Sequence, residues 1–190
     1  MRKYIVFKIA LFSVLLIFYQ NINAAEYPAK DDKFPDITIC APQNQNEKDY
    51  LGLATITPFR LSQIKTEVLI VEIFSMYCPY CQKEAPAVNE LYTIIKQRPD
   101  IKDRIKIIGI GAGNTPFEVD FFRDKYNVPF PLFADESFSI HKTIGEVRTP
   151  YFFVLKIKQD GSNKVIFSRV GSIQDPKEFL DLIIKETGLN

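Results

Sequence analysis

The sequence has little cysteine and histidine and no tryptophan: three Cys, one His and no Trp in 190 residues. Three cysteines are too few for a scaffold built on disulfides, so 16 Phe, 9 Tyr and the aliphatic residues have to supply the core. A large charge of one sign is also absent, since 24 basic and 23 acidic residues give a formal net charge of +1. This balance does not favour nucleic acid as a partner. The composition, 46% hydrophobic and 25% charged, indicates one globular domain, or at most two.

An apolar run near the N-terminus, residues 9–19, follows a basic start and precedes small and polar residues. Eleven residues are too few to span a bilayer, which takes roughly 20. The pattern is typical of a secretory signal peptide, and we predict one over residues 1–24, cut after Ala24 or after Ala25. The expected location is the periplasm, with membrane attachment only if this segment stays uncleaved. In an oxidising compartment a cysteine pair is driven toward a disulfide.

The remaining chain alternates between predicted strands and helices. Residues 25–50 are rich in Pro, Asp, Asn, Gln and Lys around a short predicted strand at 37–40. They indicate an N-terminal extension of mostly extended chain, ahead of a domain over 51–190. Strands are predicted at 59–64, 67–74, 105–110, 151–157 and 165–170. Helices are predicted at 86–97 with a start near the cysteines, from 115, in a short piece before 145, and at 175–187. This order predicts the α/β class, with a mixed central sheet flanked by helices.

Two of the three cysteines lie close together, in Cys78-Pro79-Tyr80-Cys81, directly after the predicted buried strand. Free N–H groups and the positive end of a helix stabilise a thiolate at such a position. Two intervening residues bring the sulfurs within reach of a disulfide. We therefore predict that Cys78 is the exposed nucleophile and that Cys81 resolves a mixed disulfide by attacking Cys78. This cycle requires no cofactor.

Other readings of the cysteines stay open. A structural disulfide is one, and half of a zinc site is another, although there is no second cysteine pair and His141 is the only histidine. A copper-binding metallochaperone would use the pair as soft ligands and would need His141 to converge on Cys78 and Cys81. His141 is otherwise expected to be an ordinary helix residue. Cys40, on the predicted first strand, is expected to be a small buried hydrophobe.

Glu72 lies inside the most apolar predicted strand, six residues before Cys78. An unpaired carboxylate there is costly unless it is protonated or hydrogen-bonded, so we expect a pKa moved toward neutrality. Such a group could take the proton from Cys81 as it attacks. The alternative is an acid on a sheet face that reaches water. Pro150, just before another strand, is either a plain edge residue or part of a cis peptide.

Three segments of the chain, 74–86, 130–135 and 148–154, resemble the TlpA/ResA-type periplasmic thiol:disulfide oxidoreductases of the thioredoxin-like superfamily. The resemblance runs from about residue 35 to the C-terminus and implies a thioredoxin-like fold with an N-terminal strand extension. It implies that Cys78 and Cys81 are the redox pair, that Pro150 is a cis-proline packed against them, and that Glu84 lies beside the active site. Glu72 matches the buried acid of thioredoxins. For Glu84 the alternative is a solvated acid in the first turns of a helix.

The resemblance also implies a function: exchange of disulfides with protein dithiol substrates, as a reductant more than as a general oxidant. The substrate it suggests is the oxidised haem-attachment cysteine pair of apocytochrome c, with electrons from a DsbD-type membrane donor. Tyr77 replaces the Trp that the family usually has before the first cysteine. A peroxiredoxin-like thiol peroxidase is an alternative on a related fold, but Ser75 and Val71 stand where its Thr and Pro would be expected.

Overall fold

The computed structural model describes residues 27–189, so the predicted signal peptide lies outside the described residues. In chain order the elements are β1 (Thr38–Ile39), α1 (Gln45–Leu51), β2 (Phe59–Arg60), a 3₁₀ turn (Leu61–Gln63), β3 (Val68–Phe74), α2 (Pro79–Gln97), β4 (Ile105–Ala112), α3 (Pro116–Tyr126), β5 (Leu132–Asp135), α4 (Ser139–Thr143), β6 (Tyr151–Ile157), β7 (Asn163–Val170) and α5 (Pro176–Thr187). Between residues 27 and 189 the helices all lack the length or the apolar character needed to cross a membrane.

The main sheet has five strands in the order β5-β4-β3-β6-β7. β3 pairs in parallel with β4, and β4 with β5, whereas β6 runs antiparallel to both β3 and β7. The predicted mixed sheet is confirmed, and so is the hairpin of its last two strands. Because Ile73 near the end of β3 pairs with Tyr151 at the start of β6, the chain just before β6 lies beside the carboxyl end of β3. This register brings Pro150 to the side of the cysteine pair.

Each face of the sheet carries its own hydrophobic cluster. Along β3, Ile70 and Phe74 pack under α2, α3 and α5, while Leu69 and Ile73 face the opposite cluster. Side chains alternate between the two faces of a strand, so Glu72 lies on the same face as Phe74, under the helices. The N-terminal segment, the β1–β2 pair and α4 cover the other face. Their buried residues include Phe34, Ile39, Leu51, Phe59 and Ile144.

The N-terminal extension differs from expectation in one element. Gln45–Leu51 forms a helix where extended chain was predicted, and this helix crosses the expected boundary at residue 50. Its capping residues explain it: the Asn44 side chain accepts a hydrogen bond from the Glu47 N–H, and Gly52 ends the helix with a φ of 69°. An Asn cap and a left-handed Gly are the usual signals for the start and end of a helix.

Three further features differ from expectation. Cys40 is exposed, so the prediction that it is buried is wrong. Ile37 and Ile39 are buried, and the next residue along an extended chain points to the opposite side. The strand Leu132–Asp135 was not expected, and it is a four-residue strand at the edge of the sheet. Only two residues of the strand predicted at 59–64 are extended, because the chain turns into a 3₁₀ helix at Leu61.

Candidate active site

Cys78 is the N-cap residue of α2, directly above the carboxyl end of the central strand. Its Sγ accepts a hydrogen bond from the Cys81 backbone N–H at 3.4 Å, and its thiol donates to the Thr149 carbonyl oxygen at 3.3 Å. Pro79 occupies the first helical position, where no backbone N–H is required. Cys78 is half-buried and Cys81 is completely buried, and both are free thiols. The pair therefore has one accessible sulfur and one covered sulfur.

The surroundings of the two thiols shift their pKa values in opposite directions. Partial burial opposes ionisation of Cys78, but hydrogen bonds from the Thr149 side chain, from Cys81 and from the backbone of Tyr80 outweigh it, so the pKa of Cys78 is lowered. Burial raises the pKa of Cys81 far above its ordinary value, and the negative charge of Glu72 adds to the increase. A thiolate, not a thiol, is the nucleophile. Of the two thiols, Cys78 is therefore the one that ionises more readily.

Glu72 is 3% exposed and lies on the helix-covered face of β3. Burial raises its pKa to about 8, and the negative charges of Glu84 and Cys78 contribute to the increase. The alternative of an acid that reaches water is therefore wrong. The Glu72 charge is among the causes that raise the pKa of Cys81, which lies under the helices on the same side of the sheet.

Glu84 lies in the second turn of α2 and is also buried, at 5% exposure. Its Oε1 accepts a hydrogen bond of 2.7 Å from the backbone N–H of Ile173, in the connection between β7 and α5. The solvated alternative for Glu84 is therefore wrong. Glu84 also lines a groove of about 460 Å³ beside the cysteine pair. The other residues that line the groove include Tyr80, Lys83, Arg148, Thr149, Pro150 and Val170.

The peptide bond between Thr149 and Pro150 is cis. The residue before the proline matters as much as the proline, because Thr149 supplies the carbonyl that faces Cys78 Sγ. Sequence reasoning singled out Pro150 and missed Thr149. The two residues in contact are 71 positions apart in the chain, and only the pairing of β3 with β6 brings them together.

Two tyrosines next to the cysteines are strongly exposed, Tyr77 at 64% and Tyr80 at 74%. The Tyr77 hydroxyl donates a hydrogen bond to Glu118 on α3, which ties the loop before Cys78 to that helix. Exposed aromatic rings beside a reactive sulfur provide contact area for a protein partner.

The third cysteine and the histidine lie in other surroundings. His141 Nε2 is 2.8 Å from the Val147 carbonyl oxygen. Across residues 27–189, no three His, Cys, Asp or Glu side chains are grouped so that they could hold a metal ion. The convergence of His141 on the pair, which a copper site would need, is therefore not found. Cys40 has its own neighbours, Ala134 and Asp135.

Comparisons with known proteins agree with the predicted fold and family. The sequence profile named Redoxin matches residues 29–182. A curated relative, the thiol-disulfide oxidoreductase ResA of Bacillus thuringiensis subsp. konkukian (strain 97-27), is 29% identical over 126 residues, which are 66% of this chain and 66% of that protein. The chain therefore spans just under two thirds of the length of this relative. The predicted resemblance to ResA-type proteins is confirmed.

Solved structures extend the likeness to the fold. The thioredoxin domain of a thiol-disulfide oxidoreductase from Bacteroides vulgatus has a TM-score of 0.60 at 12% identity, covering 82% of this chain and 98% of that one. Peroxidoxin BcpB from Mycobacterium tuberculosis has a TM-score of 0.58 at 16% identity, covering 85% and 97%. These structures confirm the predicted thioredoxin-like fold, and their similar scores mean that the fold alone does not distinguish an oxidoreductase from a peroxidase. The chain belongs to the Redoxin family.

Proposed function

We propose that this protein is a thiol:disulfide oxidoreductase that exchanges disulfides with protein substrates through Cys78 and Cys81. The observation that carries the proposal is the asymmetry of the pair. Cys78 caps a helix, reaches solvent and has a lowered pKa, whereas Cys81 is buried one turn further along with a raised pKa. This is the arrangement that a nucleophile and a resolving thiol require. The ResA relative from Bacillus thuringiensis is also named a thiol-disulfide oxidoreductase.

The first step joins the protein to its substrate. The Cys78 thiolate attacks one sulfur of the substrate disulfide, the substrate S–S bond breaks, and a mixed disulfide forms. The other substrate sulfur leaves as a thiolate and takes up a proton. In the second step Cys81 loses its proton and attacks Cys78 Sγ, the S–S bond of the mixed disulfide breaks, and the substrate sulfur leaves as a thiolate that takes up a proton. The substrate is then released as a dithiol, Cys78 and Cys81 are joined, and two electrons have passed to the substrate.

Glu72 is the group that takes the proton from Cys81 in this scheme. A raised pKa makes a carboxylate a stronger base, closer in strength to the buried thiol that it has to deprotonate. Formation of the mixed disulfide also removes the negative charge of Cys78, which is one of the causes that raise the pKa of Glu72. Glu72 therefore ionises more readily at the stage where a base is needed.

Glu84 and Pro150 complete the site at the groove. Glu84 acts as a positioning residue, since its bond to the Ile173 N–H fixes the β7–α5 connection against α2 and its charge raises the pKa of Glu72. Pro150 and Thr149 form the opposite wall of the groove, next to the attacking sulfur. A substrate chain that lies along this wall has its disulfide within reach of Cys78.

The compartment and the direction of electron flow are part of the same proposal. The signal-like segment over residues 1–24 supports export to the periplasm. Resemblance to ResA-type proteins supports a reductant that receives electrons from a DsbD-type membrane donor. The proposed substrate is the haem-attachment cysteine pair of apocytochrome c, by analogy with that family.

The proposal is tested by equilibrating the mature protein with thiol buffers of fixed potential. Alkylation and mass measurement then report the fraction of Cys78–Cys81 disulfide, with Cys40→Ala as the control that removes the third thiol. A reversible couple near roughly −270 mV supports a reductase, and one near about −120 mV makes the protein an oxidant. A pair that does not exchange contradicts the function, and rapid oxidation of Cys78 by hydrogen peroxide would favour a peroxidase.

A further inference from the structure

Met76 lies between the end of β3 and Cys78, and both of its backbone polar groups are held by side chains. Its N–H donates a hydrogen bond of 2.8 Å to Asn114 Oδ1. Its carbonyl oxygen accepts a hydrogen bond of 2.8 Å from Gln82 Nε2. These two bonds fix two consecutive peptide groups, so the backbone dihedral angles that lead into Cys78 are set from both sides.

Asn114 is completely buried in the loop between β4 and α3, with its Oδ1 on the Met76 N–H. Its side chain also interacts with the Glu118 carboxylate, whose pKa it helps to lower. Gly111 makes the room, because a Cβ there would lie 3.1 Å from Asn114 Oδ1 and 3.2 Å from its Cβ.

Gln82 reaches Met76 from the opposite side. It lies in the first turn of α2, one residue after Cys81, and its backbone N–H donates to the Cys78 carbonyl oxygen at 3.1 Å. The same residue thus contacts the chain on both sides of Tyr77. Neither Gln82 nor Asn114 takes part in the exchange steps proposed above.

We propose that Asn114 and Gln82 are positioning residues that hold the Met76 backbone so that Cys78 Sγ stays among the hydrogen-bond donors that stabilise its thiolate. The inference rests on the proposed function, in which Cys78 is the nucleophile. Loss of either bond frees the segment before Cys78. The sulfur then spends less time beside Thr149 and the N–H groups at the start of α2.

The test is the pH dependence of alkylation. Reduced protein is treated with limiting iodoacetamide as a function of pH, and mass spectrometry follows labelling at Cys78. We expect Asn114→Ala and Gln82→Met each to move the profile to higher pH and to slow labelling at neutral pH about threefold to tenfold, since one unit of pKa changes the thiolate fraction tenfold. The rate at high pH, where every thiol is ionised, should stay within about twofold of wild type.

Two matched controls separate positioning from general destabilisation. Asn89→Ala removes another amide side chain, whose Nδ2 donates to the Tyr126 carbonyl, far along α2. Gln97→Met repeats the second substitution at the exposed C-terminal end of the same helix. Both controls should leave the Cys78 profile in place, even where Asn89→Ala lowers the melting temperature.

Unchanged profiles in folded Asn114→Ala and Gln82→Met would overturn the proposal and leave the two residues a purely structural role. If Asn114→Ala does not fold, the test rests on Gln82→Met alone, since Gln82 is half-exposed and its replacement should be tolerated. Labelling of Cys78 uses no disulfide substrate. A wild-type protein that fails to exchange disulfides therefore contradicts the proposed function without affecting this test.

Discussion

Cys78 and Cys40 are both free thiols that reach the surface, yet their surroundings shift their pKa values in opposite directions. Cys78 lies at the N-terminus of α2, where several donors stabilise a thiolate. Cys40 lies just after β1, where desolvation of the sulfur raises its pKa although the residue as a whole is exposed, and the charges of Glu47 and Asp135 add to the increase. The desolvation of the sulfur itself, together with the donors and charges around it, determines which thiol reacts, and the exposure of the whole residue does not show it.

The largest effect should come from removing one thiol and not the other. Cys78→Ala is expected to lower the rate of protein disulfide reduction by at least about a thousandfold, because the nucleophile is lost. Cys40→Ala should stay within about twofold of wild type. A turnover assay with a protein disulfide measures both. Comparable losses of reduction rate in the two variants would contradict the proposed difference in reactivity between Cys78 and Cys40.

Glu72→Gln tests whether the same reasoning extends to the buried partner of Cys78. Resolution of the mixed disulfide by Cys81 should slow by roughly a hundredfold, since a positioned base is removed, while the first attack by Cys78 changes little. Rapid-quench trapping of the mixed disulfide separates the two steps. Equal slowing of both steps would contradict a proton-transfer role for Glu72.

Glu72 also makes stability depend on pH. Its pKa is about 8 in the folded protein against an ordinary value of 4.5, so the folded state keeps the proton that the unfolded chain has lost. The resulting loss in free energy of unfolding is absent below about pH 4.5, grows with rising pH and levels off above about pH 8. The advantage of Glu72→Gln in free energy of unfolding should therefore grow by about 3 kcal/mol between pH 4.5 and neutrality, and by less where the Cys78 charge that helps to raise this pKa is removed.

Urea unfolding of the variant and the parent, both in a Cys78→Ala background, measures this difference without the Cys78 thiolate. A difference that stays constant across the range would mean that Glu72 is already ionised in the fold.

Alkylation compares Cys78 and Cys40 directly in one molecule. At neutral pH, iodoacetamide should label Cys78 about tenfold faster than Cys40, because even one unit of pKa separation changes the thiolate fraction tenfold. Peptide mass spectrometry assigns the label to each site. Unfolding in urea should bring the two rates together, since the helix terminus is then lost. If Cys78 is still labelled about tenfold faster than Cys40 in the unfolded protein, the residues next to each cysteine in the sequence cause the difference, and the fold does not.

The sequence predicts the parts of this site that depend on neighbouring residues. The pair at a strand-to-helix turn, the apolar surroundings of Glu72 and the central strand are all patterns within a few positions. The missed features depend on distant pairing or on weak local signals. Thr149 meets Cys78 only through the register of β6, and the burial of Glu84 depends on the connection that contains Ile173.

The prediction for Cys40 failed for a related reason. Alternation along its strand places it opposite the buried Ile39, but the sequence does not show which of the two sides is covered. The four-residue edge strand β5 was missed because it is too short to show a clear period. The identity of a helix or strand is thus easier to predict than the face that the rest of the chain covers.

The smallest expected effect concerns the charges beside Cys40. Glu47→Gln keeps an oxygen that can accept the Gln43 N–H but removes a negative charge that raises the pKa of Cys40. Labelling of Cys40 at neutral pH and low salt should rise by less than about threefold, and the gain should shrink as salt screens the charge. Cys78 in the same sample serves as the internal control and should not change. A salt-independent gain would mean that the substitution loosened the cover over the Cys40 sulfur, in which case desolvation alone accounts for the low reactivity of this thiol.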